Sequence, residues 1–327
     1  MPPAIIDQLA TYRAALLNQE QGAMQSAARR WLQVETAINA QVDALALEMA
    51  NADTVTMGQL SRSVRYQALR RQINAELDRY AAYMDDSITR GQRNMATMAL
   101  QHSAAAIDSV ATQAQMVVNF NRLPVSAVSD MIGLAGDGSP LRAVLDDAAR
   151  GAGDALGQQL VNGVALGKNP IAVARQAIRL GLGQSFTRMQ TISRTEMLRT
   201  YRLSTLAQYQ ASRVVSSYVR LSARDDRVCA ACLFADGTVY QLNEGFDQHP
   251  NCRCTLLPRL YNVPPVEFQT GQEWFTEQPE STQRTILGRG RFDLWRRGEA
   301  SLTDMVSRDW SDVWGGSLRV TRVRDLG

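Results

Sequence analysis

The sequence predicts a mainly α-helical chain of the α+β class, with long amphipathic helices followed by one small β module. Three observations carry this expectation. The 327 residues are rich in Ala, Gln and Leu, and only 6% are aromatic, a bias that favours helices. From Gly22 to Gly58, Gly58 to Gly91 and Gly91 to Pro124, no internal glycine or proline interrupts the chain. After Arg213 the pattern changes: VVSSYVRLSA alternates and is rich in β-branched and aromatic residues.

Taken in order, residues 1–132 form an N-terminal helical region. Leu60, Val64, Leu69, Ile73 and Leu77 recur every four or five residues, and Met95, Met98, Ile107, Val110, Ala114 and Val117 further on offer another apolar stripe. Helices this long form bundles or assemble with a partner. GLAGDGSP, residues 133–140, reads as a linker with three glycines and a proline. A second helical region, 141–213, is expected to break at GKNP (Gly167–Pro170) and GLG (Gly181–Gly183). Its last stretch, from Ser185 to Arg213, has neither Gly nor Pro and should be one strong helix. Phe186, Met189, Ile192, Leu203, Leu206 and Tyr209 make its apolar face. Arg194, Glu196, Arg199 and Arg202 interleave charge, and Glu196 can pair with Arg199 on the helix surface. Residues 214–263 form the β module, with strands at 214–223, 238–242 and 254–260. Residues 264–327 read as two or three short helices punctuated by Gly288, Gly290 and Gly298.

All four cysteines fall within 26 residues, in CAAC (Cys229, Cys232) and HPNCRC (His249, Cys252, Cys254). The spacing is Cys-x2-Cys-x16-His-x2-Cys-x-Cys. Zinc takes four tetrahedral ligands from thiolate and imidazole, and a Cys-x2-Cys turn presents two of them. His249 with Cys252 or Cys254 supplies the second pair. Five donors compete for four places, and spacing leans to Cys254 without deciding. A filled shell is structural, and a module of about 30 residues has too little apolar surface to fold without such a staple. The fold class is thus a helical chain with a small zinc-stapled β module. Cys-x-x-Cys is also a redox spacing, but no strand–motif–helix context surrounds it. A disulfide pair is disfavoured in a reducing compartment. Catalytic zinc would need an open position and a base such as Glu244.

Other chemistry is thin. No G-x-x-x-x-G-K-[ST] or G-x-S-x-G sequence occurs, and His102 reads as a helix-face residue remote from the cluster. No enzymatic role is expected. MPPAIIDQLA lacks a secretory pattern and no apolar run approaches a membrane span, so a cytoplasmic chain is expected. Of 35 basic residues only Lys168 is lysine, which reflects coding bias more simply than phosphate binding. Between residues 284 and 324, nine arginines face five acidic residues. Arg284, Arg289, Arg291, Arg296 and Arg297 are candidate contacts for DNA or an acidic protein surface, against a reading as solvated mixed charge. Trp274, Trp295, Trp310 and Trp314 read as core anchors of a small domain, with interface hot spots as the alternative.

The run ISRTEMLRTYRLSTLAQYQAS, then DDRVCAACLFADGTVY, then HPNCRCTLLP resembles the phage Mu F-like minor head proteins, also called phage head-morphogenesis proteins. The match comprises Arg194–Glu196 on a helix, Asp226, Arg227 and Val228 before CAAC, and the His-Pro-x-Cys-Arg-Cys run. With the downstream WFTEQPESTQRTILGRGRFDLWRRGEASLTDMV it covers roughly 185–306. The resemblance implies a virion protein in several copies, bound near the portal inside the capsid and made in the host cytoplasm. It would assist head assembly and the handling or ejection of packaged double-stranded DNA. Its partners would be the portal protein and a major capsid or scaffolding protein, with no membrane involved in assembly. The competing class is a zinc-stapled nucleic-acid-binding module acting outside a virion.

Overall fold

A computed structural model describes residues 4–50, 62, 64–165, 170–225, 228–311 and 315–326. Leu60, Gly167, Lys168, Asp226, Arg227, Asp312 and Trp314 lie outside the described residues. The chain is mainly helical with small antiparallel sheets, as the sequence predicts. The helices are α1 (Ala4–Ala50), α2 (Val64–Gln113), α3 (Leu141–Ala165), α4 (Pro170–Ser212), and the short α5 (Ala230–Phe234), α6 (Gly271–Thr276), α7 (Glu280–Leu287) and α8 (Arg289–Arg296). Strands β1 (Val215–Leu221), β2 (Val239–Gln241) and β3 (Thr255–Leu260) form a sheet of order β2-β1-β3. Strands β4 (Val306–Ser311) and β5 (Gly315–Val320) form a hairpin. Among the described residues, no helix is long and apolar enough to cross a membrane.

The break expected at GLG is absent, and other helices also pass through glycine. α1 passes through Gly22, α2 through Gly91 and α4 through Gly181 and Gly183. An interior glycine costs about 1 kcal/mol relative to alanine, and these helices bury enough apolar surface to absorb that. In α2 the stripe Leu69, Ile73 and Leu77 is buried, whereas Val64 and Val117 are exposed. The helix stops at Gln113, and Gln115 turns the chain with a left-handed φ of 57°, which leaves Val117 in solvent.

The described residues divide into two compact units. One comprises residues 20–91 and 139–194. Its core centres on Trp31, which stacks on Phe186 (5.1 Å) and meets the edge of Tyr80 (4.8 Å). Gly153 of α3 lies close to α2: a Cβ there would meet the Asn74 side-chain oxygen, which would have to move aside.

The other unit comprises residues 1–19, 92–138 and 195–327. Ile5, Leu9, Ile107, Val110, Leu206 and Tyr209 pack with Tyr218, Leu256 and Leu257 of the three-stranded sheet. β1 is buried almost throughout and sits centrally, and Pro258 is confined to the edge strand β3, where a missing N–H is tolerated. A second cluster gathers Leu233, Phe234, Phe275, Leu287, Phe292 and Met305. The hairpin β4–β5 was not legible as strands, since Arg, Asp, Ser and Gly dilute its alternation. It caps α5 through Leu318, Ala231 and Ala235.

The 133–140 stretch is non-helical, and its backbone is held by side chains. Gln92 bridges it, accepting from Gly133 N (2.7 Å) and donating to Leu134 O (3.1 Å). Glu196 accepts from Gly136 N (3.0 Å), and Arg199 donates to the carbonyls of Ala135 and Gly136. Glu196 and Arg199 do pair, at 3.6 Å, but Glu196 is fully buried rather than on the helix surface. Burial raises its pKa to about 7, opposed by Arg199 and the Gly136 bond. A carboxyl whose folded pKa is raised contributes stability that is full below the unfolded value of 4.5 and is lost as pH rises towards about 7. Glu196→Gln is expected to flatten that slope and to stabilise the protein at pH 8 by on the order of 1–3 kcal/mol. Urea unfolding at pH 5 and pH 8 measures both effects.

Candidate metal centre

The two cysteine motifs meet because different elements carry them. Cys229 caps the N-terminus of α5, its Sγ accepting from Cys232 N at 3.3 Å, so one turn of helix places both thiols on one side. The second half is a tight turn. Cys252 N donates to His249 O (3.0 Å), and Asn251 adopts a left-handed φ of 64°. Asn251 N donates to Thr195 Oγ1 of α4 at 3.1 Å, which fixes the turn from below. Cys254 follows at the mouth of β3.

His249 Nε2 lies 3.2 Å from Cys229 Sγ and 3.0 Å from Cys232 Sγ, and Cys232 Sγ lies 3.8 Å from Cys252 Sγ. Two groups result, Cys229–Cys232–His249 and Cys232–Cys252–Cys254, which share Cys232, and each could hold a metal ion. Around the five donors is a cavity of only about 20 Å³, room for one particle the size of a water. His249 Nδ1 faces Pro250 O at 2.7 Å. A carbonyl only accepts, so Nδ1 carries a proton, which leaves Nε2 facing the sulfurs as the nitrogen that would bind a metal once it has lost its own proton.

The electrostatics divide the four thiols: Cys229 and Cys252 are pushed down, whereas Cys232 is held well above the usual thiol range by its bonds with Cys229, Cys252 and Cys254, and Cys254, with Cys232 pulling it down but Cys252 and burial prevailing, rises to about 12. Cys229 falls to about 4 through its bond with Cys232, helped by His249 and opposed by burial. Cys252 is pushed well below the usual thiol range by Cys232 and Cys254, with Arg202 and Arg220 acting in the same direction. Burial lowers the His249 pKa, but Cys229 and the neighbouring sulfurs more than reverse this, to about 8.

Two arginines complete the site, and no motif marks either of them. Arg220 of β1 is fully buried. It donates to Asp247 O (2.7 Å), Cys232 Sγ (3.3 Å) and Cys252 Sγ (3.5 Å). Arg202 of α4 is also buried and donates to Cys252 O (2.9 Å) and Gln248 Oε1 (2.5 Å). Both stand over the ring of Phe246, at 5.5 and 4.3 Å for Arg202 and Arg220. The available signal was a charge on an otherwise apolar strand beside CAAC. Further out, Arg253 forms a two-pronged pair with Asp225 (2.6 and 2.8 Å), which ties HPNCRC to the loop before CAAC.

The remaining expected residues lie elsewhere. His102 stacks on Tyr12 (3.9 Å), with Nδ1 3.2 Å from Tyr201 Oη, and burial lowers its pKa to about 4. It belongs to neither donor group. Arg284 pairs with Glu280 and Asp293, Arg289 with Asp293, and Arg297 with Glu299. Arg291 donates to Thr321 O and Leu287 O, and Arg296 lies 6.0 Å from the Trp295 ring. Trp274 and Trp295 pack against the second cluster, but Trp310 is 75% exposed and anchors no core.

α5 is braced by α6. A Cβ on Gly271 would lie 2.0 Å from Leu233 O, so the backbones touch there. Gly271→Ala is expected to push α6 away from the helix that carries Cys232 and to destabilise the protein by about 1–3 kcal/mol. Thermal unfolding against wild type reads this out.

Residues 154–257 match the family model described as Phage Mu protein F like protein. The matched span runs from α3 through α4 to β3 and contains all five donors and both buried arginines. It supports the resemblance read from the motifs, while the tail from Trp274 onward lies beyond it. No curated protein and no solved structure matches the chain.

Proposed function

We propose that this chain is a minor head protein of a tailed phage, stapled by one structural zinc ion and bound near the portal inside the capsid. The observation that carries the reading is the coincidence of the family match with the donor cluster: residues 154–257 enclose the whole centre. On this reading the protein assists head morphogenesis and the handling or ejection of packaged DNA. Its partners are the portal protein and a capsid or scaffolding protein, in several copies per virion, and it performs no catalysis.

Zinc suits the donors. Thiolates about 2.3 Å from one ion in tetrahedral geometry stand about 3.8 Å apart, the Cys232–Cys252 separation. The sulfur–nitrogen separations of 3.2 and 3.0 Å need only a few tenths of an ångström of opening to reach the corresponding value of about 3.5 Å. Spacing alone leaned to Cys254 as the fourth ligand. The 3.8 Å contact and the turn joining His249 to Cys252 favour Cys252, with Cys254 a buried neighbouring thiol. Four protein ligands leave no open position for a substrate.

The alternative, a nucleic-acid-binding module outside a virion, draws on the arginines of α7 and α8. Acidic neighbours offset Arg284, Arg289 and Arg297, so this face suits a protein surface better than a phosphate backbone.

Elemental analysis of protein purified under reducing conditions is expected to give one zinc per chain, with Cys229→Ser and Cys252→Ser losing most of it and Cys254→Ser keeping it. Metal-free wild type sinks the staple. Affinity purification from phage-producing cells is expected to bring down portal or capsid protein. Tight DNA binding at physiological salt with no head protein recovered would favour the alternative.

A further inference from the structure

The strongest unexplained feature of the molecule is a pair of buried cations with no carboxylate. Arg220 is 0% and Arg202 2% exposed. Among the described residues neither forms an ion pair with Asp or Glu, although nearby Arg224 and Arg253 both do. An isolated guanidinium is not left dry inside a protein without compensation. The groups that face Arg220 are a backbone carbonyl and two sulfurs: its bonds end on Asp247 O, Cys232 Sγ and Cys252 Sγ.

We propose that Arg220 is a metal-centre positioning residue, the counter-ion and N–H···S donor that neutralises the zinc-bound thiolates of Cys232 and Cys252. The inference rests on the zinc reading above. Zn²⁺ with three thiolates and one neutral imidazole carries one net negative charge, buried in a protein interior. One guanidinium cancels it. The fork geometry matters as well as the charge, because separate N–H groups reach the backbone of Asp247 and the two sulfurs. Arg220 thereby joins the loop that precedes His249 to Cys232 and Cys252. Arg202 acts in parallel on the carbonyl of Cys252, which holds the turn without touching a sulfur.

Such partners of metal ligands tune both affinity and ligand reactivity. An N–H···S bond withdraws electron density from a thiolate, so its loss should leave a more electron-rich, more reactive sulfur. The test uses the full chain loaded with zinc or with cobalt(II), comparing wild type, Arg220→Met and Arg220→Lys. Arg220→Met fills similar volume without charge or donors. It is expected to weaken zinc binding by about 10–100-fold in chelator competition. Its cobalt(II) form should show the sulfur-to-metal charge-transfer band moved to longer wavelength, and a disulfide reagent should eject its zinc faster. Arg220→Lys keeps the charge but loses the fork and should fall between the two. A purely space-filling role would not move the band or order the three proteins this way.

Wild-type zinc affinity, band position and ejection rate in Arg220→Met would overturn the proposal. If Arg220→Met does not fold with zinc present, Arg220→Lys decides: an affinity loss with a shifted band supports the proposal, and wild-type values overturn it. Wild type that binds no zinc defeats the metal reading itself, a separate result.

Discussion

A guanidinium sealed from water and from carboxylates has to be met by negative charge from somewhere, and here the sulfurs of two cysteine motifs stand in its way. That constraint organises the module. β1 is central and buried through Val215, Tyr218, Val219 and Leu221, and so carries Arg220 into the interior; the loop from Phe246 to His249 is held there because Arg220 and Arg202 bond its backbone, its Gln248 side chain and the turn beyond it. The aromatic face of Phe246 lies under both cations, adding a weaker attraction of the cation–π kind. A metal ion and the arginines would hold the same thiolates from two sides.

The second organising element is the stretch of α4 from Thr195 to Tyr209. Its polar side chains satisfy the backbone of segments that have no ladder of their own. Glu196 and Arg199 hold residues 135–136, Gln208 accepts from Leu123 N and donates to Asn121 O, and Thr195 supports Asn251. Irregular backbone can be buried only when its N–H and C=O groups find such partners. A helix rich in buried polar residues is therefore what this architecture requires, and that explains why its charges are inside rather than on a solvated face.

The sequence was most informative where one signal dominated. The strands 215–221, 239–241 and 255–260 fall within the runs read as strands, and the two cysteine motifs are brought together in two donor groups that share Cys232. It misled where two effects compete. Glycine marks a break only if local propensity outweighs burial, and in α1, α2 and α4 burial prevails. Charge marks a surface only if water is the best partner available, and Glu196, Arg202 and Arg220 find better ones inside. The hairpin 306–320 escaped notice because nine of its 15 residues are polar or glycine. Its place on α5 is set by contacts from residues some 80 positions away, which no local pattern records.

Thr195, Arg202 and Tyr209 reach Asn251, Gln248 with Cys252, and Leu256 respectively. They are spaced by seven residues, two helical turns, so one face of α4 meets the module at three successive levels. Each residue added to or removed from this stretch would swing everything beyond it by about 100° around the helix axis, aiming Arg202 or Tyr209 away from its carbonyl. Length is thus fixed here more strictly than composition: point changes have graded effects, whereas a single insertion or deletion between residues 195 and 209 would take the lower half of the centre out of register at once.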